Sequence, residues 1–196
     1  MLKLSAWVAA GVTLVGVVLL WRLSEMLFAA HMGQHLLLIA IAAPLLVLAG
    51  CETRMPPIWG WAVFVSVFLF WHWPAAFQWA ARNPVTEILE LVCILVAAVC
   101  FWDGVLGENR FSDGARALMV MTAAFLTDLP GVVMLFSPRA ICVMPGENAA
   151  RFGLTSLQDQ QIAGLLMWVP ANLVFFAIAL FLLARWIGTD TPRRLA

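Results

Sequence analysis

The chain reads as an all-α, polytopic membrane protein, a bundle of about six transmembrane helices in one domain spanning residues 1–196. Three observations predict this. Of its 196 residues, 64% are hydrophobic and only 11% charged, where a soluble domain carries about a quarter charged residues. The apolar residues gather into six runs of roughly the length needed to cross about 30 Å of hydrocarbon. Those runs are continuous, whereas barrel strands are about ten residues of alternating polarity. A helix also satisfies its own backbone polar groups in lipid.

The first run is Ser5 to Trp21. The second is Leu27 to Gly50, interrupted by His31, Gln34 and His35. The third is Pro57 to Trp79. The fourth, Val85 to Val105, carries Glu87 and Glu90 near its start. The fifth, Ala117 to Phe136, contains Asp128, and the sixth is Ile162 to Ile187. Pro56-Pro57, Asn83-Pro84, Gly107-Glu108-Asn109 and Pro145-Gly146-Glu147-Asn148 punctuate the connections. There is no internal repeat. Net charge is zero and Lys3 is the only lysine, which argues against nucleic acid as a partner, because that binding neutralises many phosphates.

Loop basicity sets the expected orientation. With six spans both termini share one side. That side holds Lys3, Arg54, Arg110, Arg116, Arg185, Arg193 and Arg194, against Arg22, Arg82, Arg139 and Arg151 on the other. Seven against four places both termini in the cytoplasm. Lys3 ahead of an apolar run also fits a signal peptide, but the run is long for one and reads as an uncleaved span.

In that topology all three histidines fall in the outer third of the membrane. His31 and His35, four apart, share one helix face. His72 lies near the outer end of the third run. Glu87 and Glu90, three apart, share a face at the start of the fourth, and Asp159 precedes the sixth. Ionisable groups at such depth cost about 2.5–3.5 kcal/mol on insertion scales, so they face partners or cavities. Imidazole with thioether from Met32, Met134 or Met167 is a ligand set suited to copper; two histidines on facing helices also suit a haem. Each group has a plainer reading too. Helix-to-helix hydrogen bonds account for the histidine pair, interfacial packing for His72, and dipole complementation in a first turn for Glu87 and Glu90. Asp128-Leu129-Pro130-Gly131 is the candidate for a broken helix, as a small transporter would have. The cysteines form no CxxC pattern; Cys142 with Met144 is a possible loop catch for Cu(I). No nucleotide loop, nucleophile elbow or HExxH motif is present, so binding and transfer are expected rather than turnover.

Longer motifs then come into view. His31-Met32-Gly33-Gln34-His35 running on to Pro44 and Gly50 resembles the HMxxH…PLLxLG helix of the multi-span CtaG family of cytochrome c oxidase assembly proteins. Trp71-His72-Trp73-Pro74-Ala75 resembles its WHxPA segment, Phe101-Trp102 its FW pair, and Asp159 to Pro170 its DQQxxGLxMWxP segment. The similarity covers roughly residues 29–186. Where members often carry HxxEH, this chain has Glu87-Ile88-Leu89-Glu90-Leu91 and keeps only the acid. The resemblance implies an inner-membrane factor in bacteria that matures a haem–copper oxidase, with oxidase subunits or other assembly factors as partners and copper delivered at the outer face. His31, His35, His72, Met32 and Met167 are the expected metal ligands, with Glu90 and Asp159 orienting imidazoles behind them. A membrane haem carrier and a metal-free structural subunit are the alternatives.

Overall fold

The computed structural model describes residues 2–107 and 111–190. Among them every regular element is helical. Glu108, Asn109, Arg110, Arg193 and Arg194, which entered the turn assignment and the charge count, lie outside the described residues.

Helix α1 is Leu2–Leu19, followed by a turn at Trp21–Ser24. Helix α2 runs Phe28–Ala49. It changes to a π-helical turn at Leu38–Ala42 just before Pro44. A proline removes one backbone donor and crowds the carbonyl four residues back, and a widened turn relieves that crowding. The indole N–H of Trp102 donates to the Ile39 carbonyl inside this turn at 2.7 Å. Gly50 ends α2 in the left-handed conformation, φ 106°, which glycine adopts without a Cβ penalty.

The third expected span, Pro57 to Trp79, is not one helix. It divides into α3, Pro57–Trp71, and α4, Pro74–Ala80, bent by 77°. Pro74 disfavours helical backbone at the residue before it, and Trp73 is extended at φ −70°, ψ 130°. Among the described residues five helices are therefore long and apolar enough to cross a membrane, and the bent pair makes a sixth span only if taken together. Asp128 to Gly131 shows no break: α6, Asp113–Phe136, is helical through Pro130.

Helix α5 is Pro84–Leu106, with Asn83 capping its start. Helix α7, Ser156–Asp190, begins six residues before the expected Ile162. A capping box accounts for the early start: the Thr155 hydroxyl accepts from the Gln158 amide at 3.2 Å, and Gln158 Oε1 accepts from the Thr155 amide at 2.9 Å.

The core is aromatic at its centre, where Phe64, Phe101, Trp102 and Phe175 stack between α3, α5 and α7. Helices α6 and α7 cross in backbone contact: a Cβ on Gly164 would lie 2.6 Å from the Gly131 carbonyl oxygen. Small residues permit such close approach of membrane helices. At one end of the bundle the start of α1 meets the end of α2, with Lys3 Nζ 3.4 Å from where a Gly50 Cβ would be. Asp103 accepts there from the Thr53 amide and hydroxyl. At the other end lie the start of α2, the bend between α3 and α4, the start of α5 and the start of α7. The chemistry is at this second end.

Candidate functional site

Four elements assemble the site. Helix α2 presents His31 and His35 one turn apart, with ring centroids separated by 4.7 Å. The first two turns of α5 present Glu87 and Glu90 opposite them. His72 comes from the last residue before the bend. All five side chains are buried.

They form a chain. Glu87 Oε1 is 3.6 Å from His31 Nδ1. His31 Nε2 is 3.5 Å from Glu90 Oε2, and Glu90 Oε1 is 3.6 Å from His35 Nε2. His35 Nδ1 is 3.4 Å from His72 Nε2, and His72 Nδ1 is 2.8 Å from the Phe68 carbonyl oxygen.

The last contact sets the protonation pattern along the chain. A carbonyl only accepts, so His72 carries its proton on Nδ1 and leaves Nε2 as an acceptor. His35 then donates from Nδ1, and its Nε2 lone pair faces Glu90. At the other end Glu87 Oε1, at 3.6 Å, is beyond hydrogen-bond distance of His31 Nδ1, so that contact does not set the His31 tautomer. Two imidazole nitrogens and a carboxylate converge there. His31 Nε2, His35 Nε2 and both Glu90 oxygens are buried with no hydrogen-bond partner. Unpaired buried polar atoms are costly. A cation among them would satisfy all three side chains at once.

His31, His35 and Glu90 offer one ligand atom each, all within 4.8 Å of one another. The residues present therefore fit a metal ion. Their second partners are Glu87 for His31 and His72 for His35, contacts of the kind that would orient the imidazoles toward a metal.

The structure sorts the sequence-predicted site residues. It brings His31, His35 and Glu90 together, with a Glu90 oxygen within 4.8 Å of both imidazole nitrogens. His72 touches His35 and the Phe68 carbonyl. Met32 and Met167 line, with His35, His72 and Thr127, a cavity of about 30 Å³. Asp159 is placed elsewhere: its two carboxylate oxygens accept from the Phe28 and Ala29 amides at 2.7 and 3.0 Å. It caps α2 and complements the positive end of that helix. Its neighbour Gln160, fully buried, accepts from the Cys142 amide at 3.0 Å and donates to the Met134 carbonyl at 3.0 Å. The polar residues of the Asp159 to Pro170 motif thus hold the end of the bundle in place.

Sequence reasoning left Glu87 out of the site. Its spacing of three from Glu90 was the available signal, because it puts both acids on one face. Cys142 is buried in the loop after α6, and burial pushes its thiol up to about 12. The thiolate is the metal-binding form, so this cysteine is a packed thiol at neutral pH.

A family model described as cytochrome c oxidase caa3 assembly factor matches residues 51–189. The matched region contains His72, Glu87, Glu90, Asp159 and Met167, whereas His31, Met32 and His35 precede it. No curated protein and no solved structure shows significant similarity to the chain.

Proposed function

The chain belongs to the cytochrome c oxidase caa3 assembly factor family, and from that premise we propose that it binds copper at His31, His35 and Glu90 and delivers it to an oxidase during assembly. One observation carries the reading: two imidazole nitrogens and a carboxylate, fully buried, lie within 4.8 Å of one another with no hydrogen-bond partner among them. The donor chemistry by itself suits copper or zinc. Membership among assembly factors for a cytochrome c oxidase supports copper as the reading.

Three protein ligands, one of them a carboxylate, leave a coordination position open. An open position suits hand-off, because an acceptor ligand can join before a donor leaves. The end of the bundle that holds the cluster is read as the outer face of the inner membrane, following the basic-residue bias of the loops. The His35 and His72 rings are 5.2 Å apart and in edge contact, which favours a bare ion over a porphyrin between them. The partners in this reading are oxidase subunits or other assembly factors that receive the ion.

Metal analysis of detergent-purified protein tests the proposal. Copper near one equivalent is expected in the native chain, and its loss in the His31→Ala/His35→Ala double variant. Wild-type copper content in that variant, or zinc as the metal retained from copper-replete cells, overturns it.

A further inference from the structure

Glu87 belongs to two places. Besides its contact with His31, it lines a cleft of about 290 Å³ together with Glu25, Met26, Arg82 and Met144. Three segments meet there: the turn before α2, the connection from α4 to α5, and the loop between α6 and α7. The Asn148 amide donates to the Met26 carbonyl at 3.0 Å and ties the first of these to the third.

The cleft has a graded lining. On its rim, Glu25 is engaged by Arg22 at 3.6 Å and by the Trp21 indole at 3.1 Å. Arg82 is exposed beside them. Farther in are two thioethers, Met26 and Met144, the latter only 3% exposed. The lining residue that reaches the cluster is Glu87, 5% exposed, whose Oε1 has no hydrogen-bond partner and lies 3.6 Å from His31 Nδ1. Glu87 and Glu90 thus flank the His31 ring, one at Nδ1 and the other at Nε2.

The other hollows that reach the histidines are unsuited to an ion. The cavity beside His35 and Met167 holds about one water and is walled by Phe64, Phe68 and Phe175. The groove at Leu129, Pro130 and Val133 touches His72, but its walls are apolar. Bringing a cation through either means stripping its hydration with little in return.

We propose that the cleft is the route by which copper reaches the cluster, with Met26 and Met144 holding the arriving ion and Glu87 passing it to His31 and Glu90. Thioether sulfur is a soft, uncharged donor that favours Cu(I) over the harder cations that share the medium. Glu87 then supplies the charge that draws the ion inward. The proposal rests on the copper reading above and adds the direction from which the site is filled.

Uptake kinetics test it. Detergent-purified protein is mixed with Cu(I) held by a coloured chelator, and the chelator's absorbance loss is followed with time. Two variants narrow or strip the cleft without touching the cluster. Ala81→Trp fills its mouth, and Met26→Leu/Met144→Leu removes both sulfurs at nearly constant volume. Each should slow uptake by about tenfold, within the range that a focusing mouth adds to association rates, while final stoichiometry stays at the native value. Native rates in both variants, with His31→Ala/His35→Ala still unable to bind, overturn the route and leave the copper site standing. No uptake by the native chain overturns the copper reading and the route together.

Discussion

His72 donates a hydrogen bond from Nδ1 to the carbonyl of Phe68, one turn back on the same helix, at 2.8 Å. The bend at Trp73 and Pro74 makes this possible, because His72 is the residue at which α3 ends and its ring folds back over Phe68 with centroids 3.9 Å apart. One backbone carbonyl thereby orients His72, and His72 orients His35. The electron pair of His35 is aimed at Glu90 through two hydrogen bonds that begin at the backbone.

His72 should therefore act by positioning and not by ligation. His72→Ala is expected to keep one copper per chain and to weaken its affinity by about 10- to 100-fold, the usual cost of losing an orienting partner. His35→Ala should lose the ion. Competition with a chelator of known affinity measures the first, and the nitrogen hyperfine pattern of the Cu(II)-loaded protein adds a check. The pattern should be unchanged by His72→Ala and simplified by His35→Ala.

Asp159 should separate fold from site in the opposite sense. Its carboxylate accepts from the first two amides of α2, the helix that carries both ligand histidines. Asp159→Ala leaves those amides without a partner and should cost about 1–3 kcal/mol. A lower midpoint of thermal unfolding in detergent is expected, with copper stoichiometry intact at low temperature. A variant that unfolds like the native chain but binds no copper would assign Asp159 to the site itself.

Depth was legible in the sequence, and direction was not. Six apolar runs with known loop charges place His31, His35, His72, Glu87 and Glu90 at one level of the bundle, and the structure keeps all five there. Period alone also put the two histidines on one face. Which way each residue turns about its helix depends on neighbours that one chain of letters does not show. Asp159 shares the cluster's end of the bundle, yet it is spent on the amides of Phe28 and Ala29. Met32 follows His31 directly, yet it lines the small cavity beside His35 and His72. Proline was ambiguous for the same reason. Pro44, Pro130 and Pro170 sit inside helices that continue, whereas Pro74 follows a break. Near Pro44 the Ile39 carbonyl accepts from the Trp102 indole, a partner that only tertiary packing supplies.

Cys142 gives a pH-dependent readout. Its thiol is buried and raised from 9.0 to about 12, so the folded chain holds the proton that the unfolded chain releases above pH 9. The sign follows from linkage: the buried thiol costs nothing below about pH 9, and stability falls as pH rises from there towards 12. At pH 8 iodoacetamide should modify Cys142 far more slowly in the native protein than after denaturation, as peptide mass spectrometry would show. Rapid labelling in the native state would mean an exposed thiolate and would revive this cysteine as a copper ligand.

The crossing of α6 and α7 supports the last prediction. Gly164 and Gly131 meet backbone to backbone, and a Cβ on Gly164 would fall 2.6 Å from the Gly131 carbonyl oxygen and 2.9 Å from the Leu135 amide nitrogen. Neither neighbour is the end of a flexible side chain, so the helices must separate to admit even a methyl group. Gly164→Val should therefore destabilise the protein by at least the 1–3 kcal/mol typical of about one overpacked core position. Separation also carries Met167, one turn along α7, away from His35 and widens the small cavity between them. The cluster of His31, His35 and Glu90 is built from α2 and α5 and does not depend on that crossing. Thermal unfolding in detergent should show the loss of stability, while copper stoichiometry measured well below the transition should stay near one. Loss of copper at a temperature where the fold is intact would place part of the site on α7 and make Met167 a ligand after all.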